Sequence, residues 1–437
     1  MPLPLSVQPY KISFLTGTAI VIANMVGTGV FTSLGFQVVG MQSGFALLML
    51  WIVGGVIALC GALCYGELAA AMPRSGGEYH YLSEIYHPAL GFLSGWVSAT
   101  VGFAAPTALA TMALGKYAAS VWPSLEPRFL SVAVVLLLTG VHATSRRAGS
   151  QLQVVVTAIK VGVLLVFVVA GFGEATPQPI VFLPVAADWQ QILTPTFAVS
   201  LIYVSYAYSG WNAAVYLTGE VTDPQRNLPR ILLAGTVVVL LLYVGLNFVF
   251  LYSTPIPQLA GQLEVGYVAA SYIFGPAIGR FMGAVIAVLL VSTVSSMIFA
   301  GPRIIQVMGE DLPALRGLAV VSSNGIPVRA MLLQTVLTLV FILTATFEQV
   351  LLYAGFILSL LTFLTVLGLF VLRLRRPTLL RPYRAWGYPL TPLLFLALSG
   401  WTLVFILRDK PLESLYGLAT LAAGAIVYFI GRRLKAV

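Results

Sequence analysis

Two short stretches place polar and small residues where an apolar helix would otherwise continue. The first is Asn24-Met25-Val26-Gly27-Thr28-Gly29; the second is Ser205-Tyr206-Ala207-Tyr208-Ser209-Gly210-Trp211-Asn212. Two glycines and a threonine weaken the helix in the first. The second is small and polar where a lipid-facing helix would carry Leu or Ile. A helix unwound at such a point exposes N–H groups at the start of its second half. With the positive end of the helix dipole, these suit a carboxylate. Gly27, Thr28 and Gly29 would supply them. Carbonyls near Asn24 and Met25, joined by those near Tyr206 and Ala207, suit an ammonium group. A carboxylate and an ammonium held side by side describe a free amino acid. Taken singly, each stretch also suits close helix packing through small residues.

Lys160 is the one basic residue deep within an apolar run, among Ile159, Val161, Gly162, Val163, Leu164 and Leu165. A charge at a helix centre costs roughly 2.5–3.5 kcal/mol on insertion scales. Its ammonium must therefore face the protein interior and bond carbonyls or hydroxyls, or else give up its proton. One reading is a fixed polar strut between helices, and the other is a working cation. The one carboxylate within a span, Glu67, lies near an end.

The elements that must position these groups follow from composition. The 437 residues are 59% hydrophobic and 8% charged, against about 25% charged in soluble domains. This excludes a soluble enzyme, a nucleic-acid binder and a disordered chain, and indicates an all-α polytopic membrane protein. The apolar runs are continuous rather than alternating, which argues against a barrel. Twelve runs reach the length of a span: 13–40, 43–72, 88–118, 129–145, 150–172, 195–220, 229–253, 277–308, 327–346, 349–372, 388–408 and 412–431. A stretch at Gly76 to Tyr86 reads as amphipathic, and Thr254 to Tyr272 as short outer helices.

Orientation follows from the basic residues. With the N-terminus cytoplasmic, the inner side holds Lys11, Arg74, Arg146, Arg147, Arg226, Arg230, Arg303, Arg316, Arg329, Arg373, Arg375, Arg376, Arg381, Arg384, Arg432, Arg433 and Lys435. The outer side holds only Lys116, Arg128, Arg280, Arg408 and Lys410. Both termini are then cytoplasmic and the span count is even. The two weak stretches fall in the first and sixth spans, so each begins a group of five. Paired interruptions at corresponding places point to the midplane site of a secondary transporter. A single transporter domain, 1–437, would comprise a five-helix repeat at 13–173, its inverted partner at 195–372, and two added helices at 388–431.

Four stretches resemble the amino acid–polyamine–organocation superfamily. They are Gly27-Thr28-Gly29-Val30-Phe31; Tyr65-Gly66-Glu67-Leu68 running into Pro73-Arg74-Ser75-Gly76-Gly77-Glu78-Tyr79; Tyr208-Ser209-Gly210-Trp211-Asn212 running into Gly219-Glu220-Val221-Thr222-Asp223-Pro224; and Arg381-Pro382-Tyr383-Arg384 with Tyr388-Pro389. They span most of the chain, and the sixth span is most similar to the L-type and alanine-serine-cysteine amino acid transporters. The resemblance implies the leucine-transporter-like fold, with substrate at broken helices 1 and 6. It implies Tyr206 as an aromatic gate, Ser209 and Asn212 lining the pocket beside Gly210, Tyr243 on its seventh-span side, and Met25 and Val26 against the substrate side chain. It also gives Lys160 a role. Sodium-coupled transporters of this fold hold a sodium ion between spans 1, 5 and 8, and several sodium-independent members carry a lysine at the matching place. Its expected partners are carbonyls near Gly27 and the hydroxyls of Ser292, Ser295 or Ser296.

The function implied is sodium-independent, alternating-access transport of neutral L-amino acids by exchange or facilitation. Members that take cationic substrates often place an acid near the broken helices, and none lies within either stretch. Ala207, Ala213 and Ala214 would leave the pocket roomy. Proton symport is the alternative mechanism. Glu67, Glu78 and Arg74 suggest an inner gate with Arg146, Arg147 or Glu220, or simply interfacial charge. Eukaryotic L-type members are joined to a glycoprotein through a cysteine between spans 3 and 4. The loop Lys116 to Arg128 has none, so no disulfide-linked ancillary subunit is expected.

Rival classes fare less well. An ion channel would show pore loops or charged rings, and an amino-acid-sensing receptor would show long soluble tails. A membrane enzyme would need a cluster that His80, His87 and His142 are too irregularly spaced to form. Cys60 and Cys64 read as packed thiols. No cofactor, metal or nucleic-acid partner is expected. The expected location is the plasma (inner) membrane of a bacterium.

Overall fold

A computed structural model describes residues 12–144, 150–174, 176–311 and 313–435. Lys11, Arg146 and Arg147, expected on the inner side, lie outside the described residues, as do the side chains of Arg432, Arg433 and Lys435. The described chain is helical, with one isolated bridge between Ile12 and Val221.

The first apolar run forms two helices, α1 (Phe14–Met25) and α2 (Gly29–Gly40). After α3 (Gly44–Ala71), the amphipathic stretch folds as α4 (Gly77–Ile85). Helices α5 (Pro88–Val97) and α6 (Ala104–Val121) are joined by a π turn at Ser98–Gly102. Next come α7 (Pro127–Thr144), α8 (Ser150–Glu174) and the short α9 (Ala186–Ile192). Helix α10 (Pro195–Tyr208) gives way to a 3₁₀ segment, Trp211–Glu220, and α11 (Pro224–Ser253) follows. The expected outer helices are α12 (Ile256–Leu259) and α13 (Val265–Phe274). The remainder is α14 (Pro276–Asp311), α15 (Val328–Thr344), α16 (Phe347–Arg375), α17 (Leu390–Asp409) and α18 (Pro411–Lys435).

Among the described residues, nine helical stretches are long and apolar enough to cross a membrane; Ala186–Ile192 with Pro195–Glu220, bent by 68°, makes a tenth. Two further apolar helices, Ala158–Gly173 and Val328–Thr344, fall on the fifth and ninth expected runs but are shorter. The chain is thus an integral, multi-pass membrane protein.

Two packing groups position the site. Helix α11 lies along α3 and against α1, while α10 packs on α2 and α3. Separately, α6 lies along α14 and also meets α7 and α15. Large buried aromatics fill the first group, including Trp51, Tyr65, Tyr208 and Tyr243. The rings of Tyr208 and Tyr243 stand 5.0 Å apart, and Trp51 meets Tyr243 edge-on at 5.7 Å. Cys60 and Cys64 are buried free thiols in this group.

Candidate functional site

Both weak stretches are interrupted where their residue types suggest. In the first, the helix stops at Met25 and restarts at Gly29. The first N–H groups of α2, those of Gly29 and Val30, therefore have no acceptor within their own helix, while that of Phe31 reaches Thr28 O at 3.0 Å. In the second, Ser209 is extended and Gly210 takes φ +99°, a left-handed conformation that suits glycine.

The two interruptions pack against each other. A Cβ on Gly29 would come within 2.5 Å of Ala207 Cα, and one on Gly210 within 2.8 Å of the Asn24 carbonyl oxygen. Tyr206 is buried with its hydroxyl beside the Thr28 side chain. Tyr243 Oη donates to the Met25 carbonyl at 2.6 Å. It satisfies the end of α1 and lies near the Gly27 amide. The expected residues of the first stretch, of the Tyr206–Gly210 bend and Tyr243 are thus neighbours.

Several expectations need correction. The pocket is not roomy here, since Ala207 is held against Gly29. Two of the carbonyls expected to hold an ammonium already have donors: Met25 takes Tyr243, and Tyr206 takes the Ser209 N–H at 3.0 Å. Each keeps a second lone pair. Asn24 Nδ2 turns back onto Ile20 O at 2.9 Å. Asn212 Nδ2 donates to Glu78 Oε1 at 3.1 Å.

Both ends of the first broken span are tied. At one end the Ile12 N–H donates to Glu220 O at 2.7 Å and the Thr222 N–H to Ile12 O at 3.0 Å. At the other, Tyr117 Oη donates to Phe31 O and accepts from the Gly266 N–H, both at 2.9 Å. The Gly261 N–H adds a bond to Gly35 O at 2.8 Å.

Lys160 lies against the first interruption. It is 7% exposed, and its Nζ donates to Thr293 Oγ1 at 2.7 Å. A cavity of about 30 Å³ is lined by Lys160, Asn24, Val26, Gly27, Ser292, Thr293 and Ser296, among others. A second, of about 10 Å³, adjoins it between Gly27, Phe31 and Leu290. Both are water-sized rather than amino-acid-sized. No carboxylate pairs with Lys160 among the described residues. The partner on α14 is Thr293, a residue outside the expected serines. Ser295 instead meets His142 Nε2 at 2.8 Å, and Ser296 bonds back to Ser292 O at 2.9 Å within its own helix. The run Ser292-Thr293-Val294-Ser295-Ser296 held the signal: any of its hydroxyls was a candidate, and helical phase decided among them.

The acidic residues also differ from expectation. Glu67 is fully buried and takes a two-pronged bond from Arg373, Nε at 2.8 Å and Nη2 at 2.6 Å. The Ala385 N–H donates to it at 2.7 Å, and Arg381 Nε stands 3.5 Å away. Arg373 in turn lies 3.5 Å over the Tyr388 ring. Of the gate residues named from sequence, Arg74 and Glu220 enter no ion pair among the described residues, and Arg146 and Arg147 lie outside the described residues. Glu78, on α4, is buried among Tyr65, Asn212 and Thr362. Burial pushes its carboxyl above the usual range, with those hydrogen bonds opposing. His80 is pushed down by burial and then by Arg74. Among the described residues, no group of three or more His, Cys, Asp or Glu side chains is placed to hold a metal.

Two interrupted helices packed against each other within a bundle of apolar spans are an arrangement expected of a membrane permease. The model of the amino acid permease family matches residues 12–428, and the chain belongs to that family. It is similar to the mouse protein named large neutral amino acids transporter small subunit 2, at 28% identity over 96% of this chain and 81% of that one. The mouse Asc-type amino acid transporter 1 is 29% identical over 96% and 81% of the two chains. The mouse b(0,+)-type amino acid transporter 1 is 27% identical over 96% and 87%.

Proposed function

We propose that this permease is a sodium-independent secondary transporter of neutral L-amino acids, working by alternating access as an exchanger or facilitator. The observation that carries the mechanism is the Lys160 ammonium on Thr293 Oγ1, beside the Gly27 interruption and without a carboxylate partner among the described residues. A resident cation there makes a bound sodium ion redundant. The substrate carboxylate would sit on the Thr28 and Gly29 amides, with Tyr206 over it. Ser209, Gly210 and Asn212 would form the opposite wall, and Tyr243 would support it from α11.

The names of the relatives support amino acids as the cargo. Twelve spans and a five-plus-five inverted repeat are part of the proposal. The packing of α3 on α11 and of α6 on α14 supports it, since those pairs are second with seventh and third with eighth. Both termini are proposed cytoplasmic, in the plasma membrane or a bacterial inner membrane. One relative is named a small subunit, yet the only cysteines of this chain, Cys60 and Cys64, are buried. That supports action without a disulfide-linked subunit.

The test is counterflow in proteoliposomes with a panel of labelled amino acids, sodium being replaced by a bulky organic cation. Saturable counterflow of neutral amino acids without sodium is expected. Competition by arginine as strong as by leucine or alanine would sink the neutral assignment, and an absolute sodium requirement would sink the role of Lys160. Lys160→Met should keep substrate binding while slowing exchange at least tenfold. Loss of binding as well would leave Lys160 a structural strut.

A further inference from the structure

Glu67, Lys160 and Glu78 are buried near the interrupted helices, and they are compensated very differently. Glu67 has Arg373 and Arg381 within ion-pair distance. Lys160 has a hydroxyl. Glu78 is a carboxylate surrounded by neutral donors. Its Oε1 accepts from Tyr65 Oη at 2.6 Å, Asn212 Nδ2 at 3.1 Å and Thr362 Oγ1 at 3.2 Å. Thr362 shares its proton with Leu358 O. These donors come from α3, the Trp211–Glu220 segment and α16, so one oxygen joins three elements to α4.

We infer that Glu78 is the proton-binding group of the transport cycle, and that its charge reaches the substrate site through Asn212. The inference rests on the transport reading above and names the group through which protons act on that site. A carboxylate can only accept, so the Asn212 amide must turn Nδ2 toward Glu78. The orientation of a residue on the second interrupted span is thereby set by the charge of Glu78. Hydrogen bonds to an ionised acceptor are roughly twice as strong as neutral ones. A proton on Glu78 weakens all three together and loosens the second half of that span from α3 and α16.

The surroundings leave Glu78 free to titrate. Tyr65 faces it from α3, Tyr216 from the Trp211–Glu220 segment and Tyr81 from its own helix. Helix α16 contributes Thr362, and α5, packed on α4, carries no titratable side chain. No Lys, Arg or His pairs with it among the described residues. Burial raises its carboxyl above the ordinary range, which moves the proton equilibrium toward physiological pH. Lys160 shares no hydrogen bond with this cluster, so the two roles separate: Lys160 is the fixed cation and Glu78 the titrating anion.

The experiment is alanine or leucine counterflow with equal pH on both faces of the liposome, scanned from mildly acid to mildly alkaline. The wild-type rate should rise severalfold on acidification. Glu78→Gln, neutral at every pH, should be flat at the acid-limb rate. Tyr65→Phe removes a donor that favours the ionised form and should move the midpoint up by about one pH unit. A Glu78→Gln profile that still follows the wild type overturns the inference, as does an unmoved midpoint in Tyr65→Phe. Active but pH-independent wild-type counterflow overturns it too, leaving the transport reading intact. Absence of wild-type counterflow at every pH instead overturns that underlying reading.

Discussion

The Glu67 junction and the Lys160 cavity are both buried charges in an apolar bundle, yet they are built in opposite ways. Glu67 meets two guanidiniums and a backbone N–H, drawn from the end of α16 and the segment that follows it. Lys160 meets one hydroxyl beside a cavity large enough for water. A charge held by three hydrogen bonds and two guanidiniums is confined to one arrangement, and moving it costs several bonds at once. A charge with one neutral partner has spare bonding capacity and room for its neighbours to rearrange. The first is suited to fixing helices in place and the second to a region that changes shape in each cycle. Glu78 stands between them, multiply bonded but without a counter-charge among the described residues.

The largest effect should come from breaking the better-compensated region. Glu67→Ala leaves Arg373 and the nearly buried Arg381 without their anion, and breaking a buried pair from one side typically costs about 3–5 kcal/mol. That is a large part of a protein's stability. Detergent-solubilised Glu67→Ala should aggregate or lose its size-exclusion peak at temperatures where the wild type survives. Substitution of both partners, Glu67→Gln with Arg373→Met, should recover part of the loss. If Glu67→Ala kept the wild-type melting temperature, the contrast between anchor and moving part would fail.

The difference between these regions also explains what the sequence could reveal. The interruptions at Gly27 and Gly210 were legible because glycine and small polar residues act locally on the helix that contains them. Lys160 was legible because a lone charge in an apolar run has few tolerable surroundings, and α4 because its amphipathic pattern is short-range. The partners of Glu67 were not legible. Arg373 is 306 residues away in sequence, and nothing local distinguishes it from the other basic residues near the ends of spans. The reading of Glu78 as interfacial charge failed for the same reason, since Asn212 and Thr362 reach it only through tertiary packing. The motif residues Tyr65, Glu67, Glu78, Asn212 and Arg381 come from three separated stretches, and their contacts arise only where those stretches meet, Tyr65 and Asn212 at Glu78 and Arg381 at Glu67.

An intermediate effect should follow from thinning the sparsely compensated region further. Thr293→Val keeps the shape of the side chain and removes the hydroxyl that accepts from Lys160. A hydrogen bond to a charged group is worth about 1.5–3 kcal/mol, roughly tenfold to a hundredfold in the population of the state that contains it. Counterflow should fall by at least tenfold, while the melting temperature shifts by less than in Glu67→Ala. Ser295→Ala removes the hydroxyl that faces His142 instead, and it should leave counterflow close to wild type. Equal losses in the two variants would mean that the hydroxyl-rich face of α14 acts as a whole, and Thr293 would lose its special place.

The smallest effect tests whether the substrate side of the first interruption is as loosely held as its cation side. Tyr243 Oη spends its proton on the Met25 carbonyl, the last acceptor before the helix breaks. In Tyr243→Phe the ring remains packed on Trp51 and Tyr208, so the bundle should keep its stability to within about 1.5 kcal/mol. What changes is the chain end: Met25 O loses a neutral hydrogen bond worth about 0.5–1.5 kcal/mol, and α1 is freer to fray beside the site. The expected result is a three- to tenfold rise in the substrate concentration for half-maximal counterflow, with the maximal rate little altered. A frayed site must be reordered each time a substrate binds, which weakens binding without adding a barrier to the conformational step. A fall in the maximal rate at unchanged half-saturation would instead place Tyr243 with Lys160 and Thr293, in the part of the molecule that moves.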